Sequence, residues 1–129
     1  MTIKKKSFRS GPFKDFIAQG VLVNNVLYLS GQVGMDQDGK SGDDIASQTA
    51  IAYENLKTVL AEFGAGMDNI VDETFFVTDI NELMTHAEGV YGARTQAYGG
   101  LPEVSQTVVQ IVSLVQPEFK IEIKCVAHL

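Results

Sequence analysis

One apolar stripe constrains this chain more than any other feature. Ile45, Thr49, Ala52, Tyr53, Leu56, Val59, Leu60 and Phe63 recur at three- and four-residue steps, so they line one side of an α-helix for about five turns. Asp43 or Asp44 stands where an N-cap is needed, and Gly64 and Gly66 follow the last turn, where glycine ends a helix. Such a helix must cover its apolar side with other segments of the chain.

Those segments read as strands and a second helix. Val21 to Gly31 holds two apolar runs, V-L-V and V-L-Y-L-S-G, around Asn24-Asn25, a pair that tolerates positive φ and fits a hairpin turn. Asn69 to Asp79, containing I-V-D-E-T-F-F-V-T, reads as a strand. Asn81 to about Tyr98 is expected as a helix that buries Leu83, Ala87, Val90, Tyr91, Ala97 and Tyr98 and stops at Gly99-Gly100-Leu101-Pro102. Val104 to Val115 and Phe119 to Ala127 are two final strands separated by Gln116-Pro117. Gly34 to Gly42, G-M-D-Q-D-G-K-S-G, lacks Walker spacing and reads as a surface turn. This order predicts an α+β fold, a mixed six-stranded sheet with two helices on one face, in a single domain of residues 1–129.

The other face of that sheet is the first pointer to function. On a strand Gln106, Val108 and Gln110 share one side, and Thr107, Val109 and Ile111 share the other. An unpaired primary amide in a dry interior costs roughly 1 to 3 kcal/mol, so the glutamines are expected to meet water, a polar interface or a ligand. The face left uncovered by helices would carry Glu122, Lys120, Lys124 and His128 with either the Gln106 or the Thr107 set. A surface this mixed suits a homo-oligomer with a partly polar interface.

Composition removes several function classes. The net charge of -6 argues against a nucleic-acid binder, since phosphate binding needs concentrated Lys and Arg. The one basic cluster, Lys4-Lys5-Lys6, reads as solvated end charge. A single cysteine excludes an internal disulfide, and His86 and His128 lie too far apart to suggest metal spacing. Cys125 falls on the apolar side of its strand, and both histidines read as surface residues. No apolar run approaches membrane-spanning length and no signal peptide is evident, so no membrane partner and a cytoplasmic location are expected.

The pieces Ala18-Gln19-Gly20, Ser30-Gly31-Gln32-Val33, Phe76-Val77-Thr78-Asp79-Ile80-Asn81 and Lys120-Ile121-Glu122-Ile123 resemble, in order and spacing, the RidA/YjgF family, also called L-PSP or Rid proteins. The resemblance implies a chorismate-mutase-like (RidA-like) fold and a homotrimer whose sheets pack around the threefold axis, with a cleft at each subunit interface. It implies hydrolysis of small reactive enamines and imines, such as 2-aminoacrylate and related 2-imino acids, to 2-keto acids and ammonia, with no metal and no organic cofactor. In the family pattern a glutamate on the last strand manages water, backbone of the S-G-Q segment contacts substrate, an aromatic residue near the N-terminus lines the cleft, and an arginine on the penultimate strand clamps a carboxylate.

Carried onto this chain, the pattern gives Glu122 as the catalytic residue and Gly31, Gln32, Phe16, Ile17, Gln106 and Arg94 as substrate-binding candidates. Phe13, Phe16 or Ile17 stands where a tyrosine is common. Registering the penultimate strand on V-V-Q-I and Leu114 puts Gln106 at the arginine position; counting from Pro102 puts Val104 there. The only arginines are Arg9 and Arg94. Arg94 lies on the apolar stripe of the second helix, either as a snorkelling or inter-subunit ion-pairing residue or as one that reaches the cleft. Glu122 is either the water-activating base or one member of a cross-strand ion pair with Lys120 or Lys124. The expectation is a hydrolase acting on an enamine or imine other than a standard 2-imino acid, the alternative a non-catalytic small-molecule-binding or regulatory protein.

Overall fold

A computed structural model describes residues 2–129. In chain order the elements are β1 (Lys6–Phe8), β2 (Gly20–Val23), β3 (Val26–Leu29), β4 (Gln32–Val33), α1 (Ile45–Glu62), a 3₁₀ turn (Met67–Asn69), β5 (Ile70–Val77), α2 (Ile80–Thr85), α3 (Ala87–Tyr98), β6 (Ser105–Gln110) and β7 (Ile121–His128). The strands form one sheet in the order β1-β2-β3-β7-β5-β6, with β4 added to the side of β7 beyond β3. Only β5 and β6 run parallel. The fold is therefore α+β with a mixed sheet, as expected.

The apolar stripe of α1 makes the core. Ile45, Ala52, Tyr53, Leu56 and Leu60 are buried against Leu27, Leu29, Phe75, Val77, Ile121 and Ile123. Of the two possible caps the chain uses Asp44: its carboxylate accepts from the Ser47 amide at 2.8 Å, and the Ser47 hydroxyl accepts from the Asp44 amide at 3.1 Å. Asn24 takes φ 55° at the turn that joins β2 to β3, which asparagine tolerates better than most residues. Strand alternation is clearest in β7. Ile121, Ile123, Cys125 and Ala127 are fully buried toward the helices, while Glu122, Lys124, Val126 and His128 point to the open face.

Several boundaries differ from the sequence-based expectation. The sheet has seven strands rather than six: to the five read individually from the sequence, two very short ones are added, β1 at the edge and β4 on β7. β1 recruits Lys6, whose ammonium stands 5.6 Å from the centre of the Phe63 ring, so part of the expected end charge packs on the fold. The second helix breaks at His86 into α2 and α3. β6 is cut short: the Ile111 amide still bonds the Val77 carbonyl at 2.8 Å, and the chain then leaves the sheet for a turn closed by Phe119 onto Gln116. Lys120 consequently precedes β7, and its ammonium pairs with Glu82 of α2 at 2.7 Å.

One buried amide fixes where β7 begins. Gln48 of α1 donates to the carbonyls of Gly42 and Glu118 and accepts from the Lys120 amide at 2.8 Å. All its bonds go to backbone, so it ties the 34–42 turn and the start of β7 to the helix. Glu122 follows two residues later.

Candidate functional site

The segments around S-G-Q and A-Q-G are stitched together. The Ser30 hydroxyl donates to the Ala18 carbonyl at 2.7 Å, the Ser30 amide donates to the Gln19 carbonyl at 2.8 Å, and the Gln32 amide group donates to the Gln19 side chain at 2.7 Å. Gly31 is thereby held between two anchored residues. The preceding loop carries Phe13, Phe16 and Ile17, which are 44%, 81% and 46% exposed. These three large apolar side chains stand exposed on a loop that ends at Ala18, the residue to which Ser30 is bonded.

Glu122 lies directly against Gly31. A Cβ added to Gly31 would collide with the Glu122 carboxylate and its adjoining carbons, so the glycine is what lets the carboxylate rest on the backbone. β4 and β5 put Val33 and Phe76 beside Glu122 in register, and Val109 beside Phe76. Among the described residues the carboxylate has no hydrogen-bond or ion-pair partner. Both lysines expected beside it are engaged elsewhere: Lys120 with Glu82, and Lys124 through a 2.9 Å bond to the Leu29 carbonyl. The cross-strand ion pair is therefore absent. Every buried side-chain nitrogen and oxygen described has a partner, so the unbonded oxygens of Glu122 are open to water. Burial holds its carboxyl above the usual glutamate range, and the charge of Lys124 opposes this only in part.

Gly31→Ala tests this contact. The added methyl group is expected to push the Glu122 side chain off the backbone while the fold stays intact; a crystal structure with the Glu122 carboxylate unmoved would refute the packing argument.

Gln106 and Arg94 do not join Glu122. Gln106 is paired in register with Glu73 of β5, and both side chains project toward the helices, on the face opposite Glu122. Glu73 is fully buried and accepts four hydrogen bonds: from the Tyr53 hydroxyl at 2.9 Å, the Tyr98 hydroxyl at 2.6 Å, the Arg94 guanidinium at 2.7 Å and the Gln106 amide at 2.6 Å. The Tyr91 hydroxyl donates to the remaining oxygen of Gln106 at 2.6 Å. Burial alone would lower the pKa of Arg94, but the hydrogen bond and charge of Glu73 outweigh it and raise it. Desolvation raises the phenols of Tyr53 and Tyr98, and Glu73 adds to the effect, so both stay protonated donors. Within the chain Arg94 is the counter-ion of a buried carboxylate. Gln110, the second amide of that strand, accepts from the Ile80 amide at 2.8 Å and caps α2. The Thr107 set, with Val109, takes the open face.

Glu73 was missed by sequence reasoning, although a signal exists. It shares its strand side with Phe75 and Val77, and Arg94 is equally out of place on an apolar helix stripe. Two misplaced opposite charges in one small chain suggest each other as partners.

Among the described residues no group of three or more His, Cys, Asp or Glu side chains is arranged to hold a metal ion, and no helix is long and apolar enough to cross a membrane.

Comparison with known proteins bears on the family and the fold. The 2-iminobutanoate/2-iminopropanoate deaminase of Rattus norvegicus is 33% identical over 114 residues, covering 85% of this chain and 77% of the rat protein. Rv2704 of Mycobacterium tuberculosis, a YjgF-family structure, matches with a TM-score of 0.82 at 25% identity over 98% of this chain and 100% of its own. Escherichia coli TdcF, solved with bound serine, matches with a TM-score of 0.77 at 27% identity over 95% of this chain and 92% of its own. The family model described as Endoribonuclease L-PSP matches residues 10–129. The chain belongs to that family, the RidA/YjgF proteins.

Proposed function

We propose that the chain is a cytoplasmic deaminase that hydrolyses a small reactive imine or enamine in a cleft shared between the subunits of a homotrimer. The observation that carries this reading is Glu122: a half-buried carboxylate without a partner, resting on Gly31, its pKa raised by burial. A carboxylate in that state is a competent general base. The deaminase names of relatives add support at the level of the family. The uncovered sheet face and the exposed Phe16, Tyr28, Val109 and Val112 leave room for neighbouring subunits to complete the cleft.

In the reaction Glu122 takes a proton from water as its oxygen bonds to the C=N carbon, and the π electrons of the double bond move to nitrogen. The protonated Glu122 then returns the proton to nitrogen. Glu122 then relays the hydroxyl proton of the carbinolamine to nitrogen, so that the carbonyl forms as the C–N bond breaks and ammonia leaves. The chain contributes the base, the backbone at Gly31 and an apolar wall that limits competing water.

Purified protein mixed with an oxidase that generates imines in situ is expected to accelerate ammonia and carbonyl release, and to elute at about three times the 14.0 kDa of one chain. Absence of acceleration over a panel of aliphatic, aromatic and carboxylate-free imines refutes the enzyme. The commitment of Gln106 and Arg94 to Glu73 favours a second reading, a binding protein without chemistry. That reading predicts saturable calorimetric binding of a metabolite with no turnover.

A further inference from the structure

Resting on the deaminase reading, we propose that the Glu122 site takes imines that carry no carboxylate, as the neutral species or the protonated iminium. The charges on the open face point this way. Of the two arginines, Arg94 is sealed to Glu73 on the far side of the sheet and Arg9 donates to the Lys14 carbonyl in the N-terminal segment. The one cation near Glu122 along β7 is Lys124, whose ammonium is tethered to the Leu29 carbonyl. The residues in register with Glu122 are Val33 and Phe76, with Val109 next beyond. No guanidinium of this chain stands among the residues in register with Glu122 to bind a carboxylate in two parallel bonds.

A ligand anion would therefore lie against apolar side chains beside an unpaired carboxylate and would be repelled. An iminium is attracted by the same carboxylate. It also favours the ionised form of Glu122, which burial disfavours, so binding of a cationic substrate switches on its own base. The protonated C=N is in addition the better electrophile: water adds its oxygen to carbon, the electron pair goes to nitrogen as a neutral amine, and the water proton goes to Glu122. After return of that proton the C–N bond breaks, and the overall change is iminium plus water to ketone plus ammonium.

Matched ketimines that differ only in methyl against carboxylate decide the matter: 2-iminopropane against 2-iminopropanoate, and acetophenone imine against 2-imino-2-phenylacetate, each made in situ by an oxidase from the parent amine. The methyl member is expected to have a kcat/KM at least about tenfold higher, a difference of about 1.4 kcal/mol. Val109→Arg is expected to shift the ratio at least about fivefold toward the carboxylate member by placing a guanidinium on the same face. Equal or preferred turnover of the carboxylate members overturns the substrate class and leaves the deaminase standing. No turnover of either member of either pair removes both.

Discussion

Glu73→Leu is expected to lower stability by about 3–5 kcal/mol, the usual cost of leaving one partner of a buried ion pair without the other. For a domain of this size that is roughly 10–20 °C in melting temperature. Arg94 is 11% exposed and Glu73 is fully buried, so the guanidinium would be left in the interior with two tyrosine hydroxyls and an amide that have also lost their acceptor. Leucine fills the volume but accepts nothing. Glu73→Leu with Arg94→Met is expected to be less damaging than the sum of the single changes, because removing the pair together leaves no stranded charge. Urea denaturation of the four proteins measures the coupling. A loss below about 1 kcal/mol for Glu73→Leu alone would mean that Arg94 reaches water without it, and the buried network would not hold α3 to the sheet.

The same network explains where sequence reading succeeded and stopped. α1 was legible because its information is local: a stripe with helical steps, a cap at Asp43 or Asp44 and glycines after the last turn. The parity of β7 was legible too, with Cys125 inside and Glu122 outside. Gln106 was misleading because its partners, Glu73, Tyr91 and through them Arg94, arrive from two other elements, β5 and α3. An amide on a strand announces that it needs a partner, and nothing in its neighbours says whether that partner is solvent, ligand or core. The break at His86 had no glycine or proline to mark it. The early end of β6 is set by where β5 ends, since β6 pairs only with β5 and the last bond runs from Ile111 to Val77. Family resemblance located Glu122 and Gly31, and only the folded chain shows that the two touch.

Glu122→Gln is expected to cut kcat by at least about 100-fold and to raise KM for an iminium substrate, since the amide keeps the shape of the side chain but neither takes a proton nor attracts a cation. In the parent the rate should fall on the acid side at a pH above the ordinary glutamate range, because burial raises the pKa of the base that must be ionised. The same shift makes an opposite prediction for stability. A carboxyl whose pKa is higher folded than unfolded stabilises the fold while protonated, and that contribution is lost as pH rises through the folded value. Ionised Glu122 is thus a small liability at neutral pH, which glutamine removes. Glu122→Gln should therefore melt above the parent at pH 7, and the advantage should vanish below the unfolded glutamate pKa of about 4.3. An inactive variant that is also more stable identifies a carboxylate kept for chemistry. An inactive variant that is less stable at pH 7 would place Glu122 among the residues that hold the sheet together and would leave the reaction without its base.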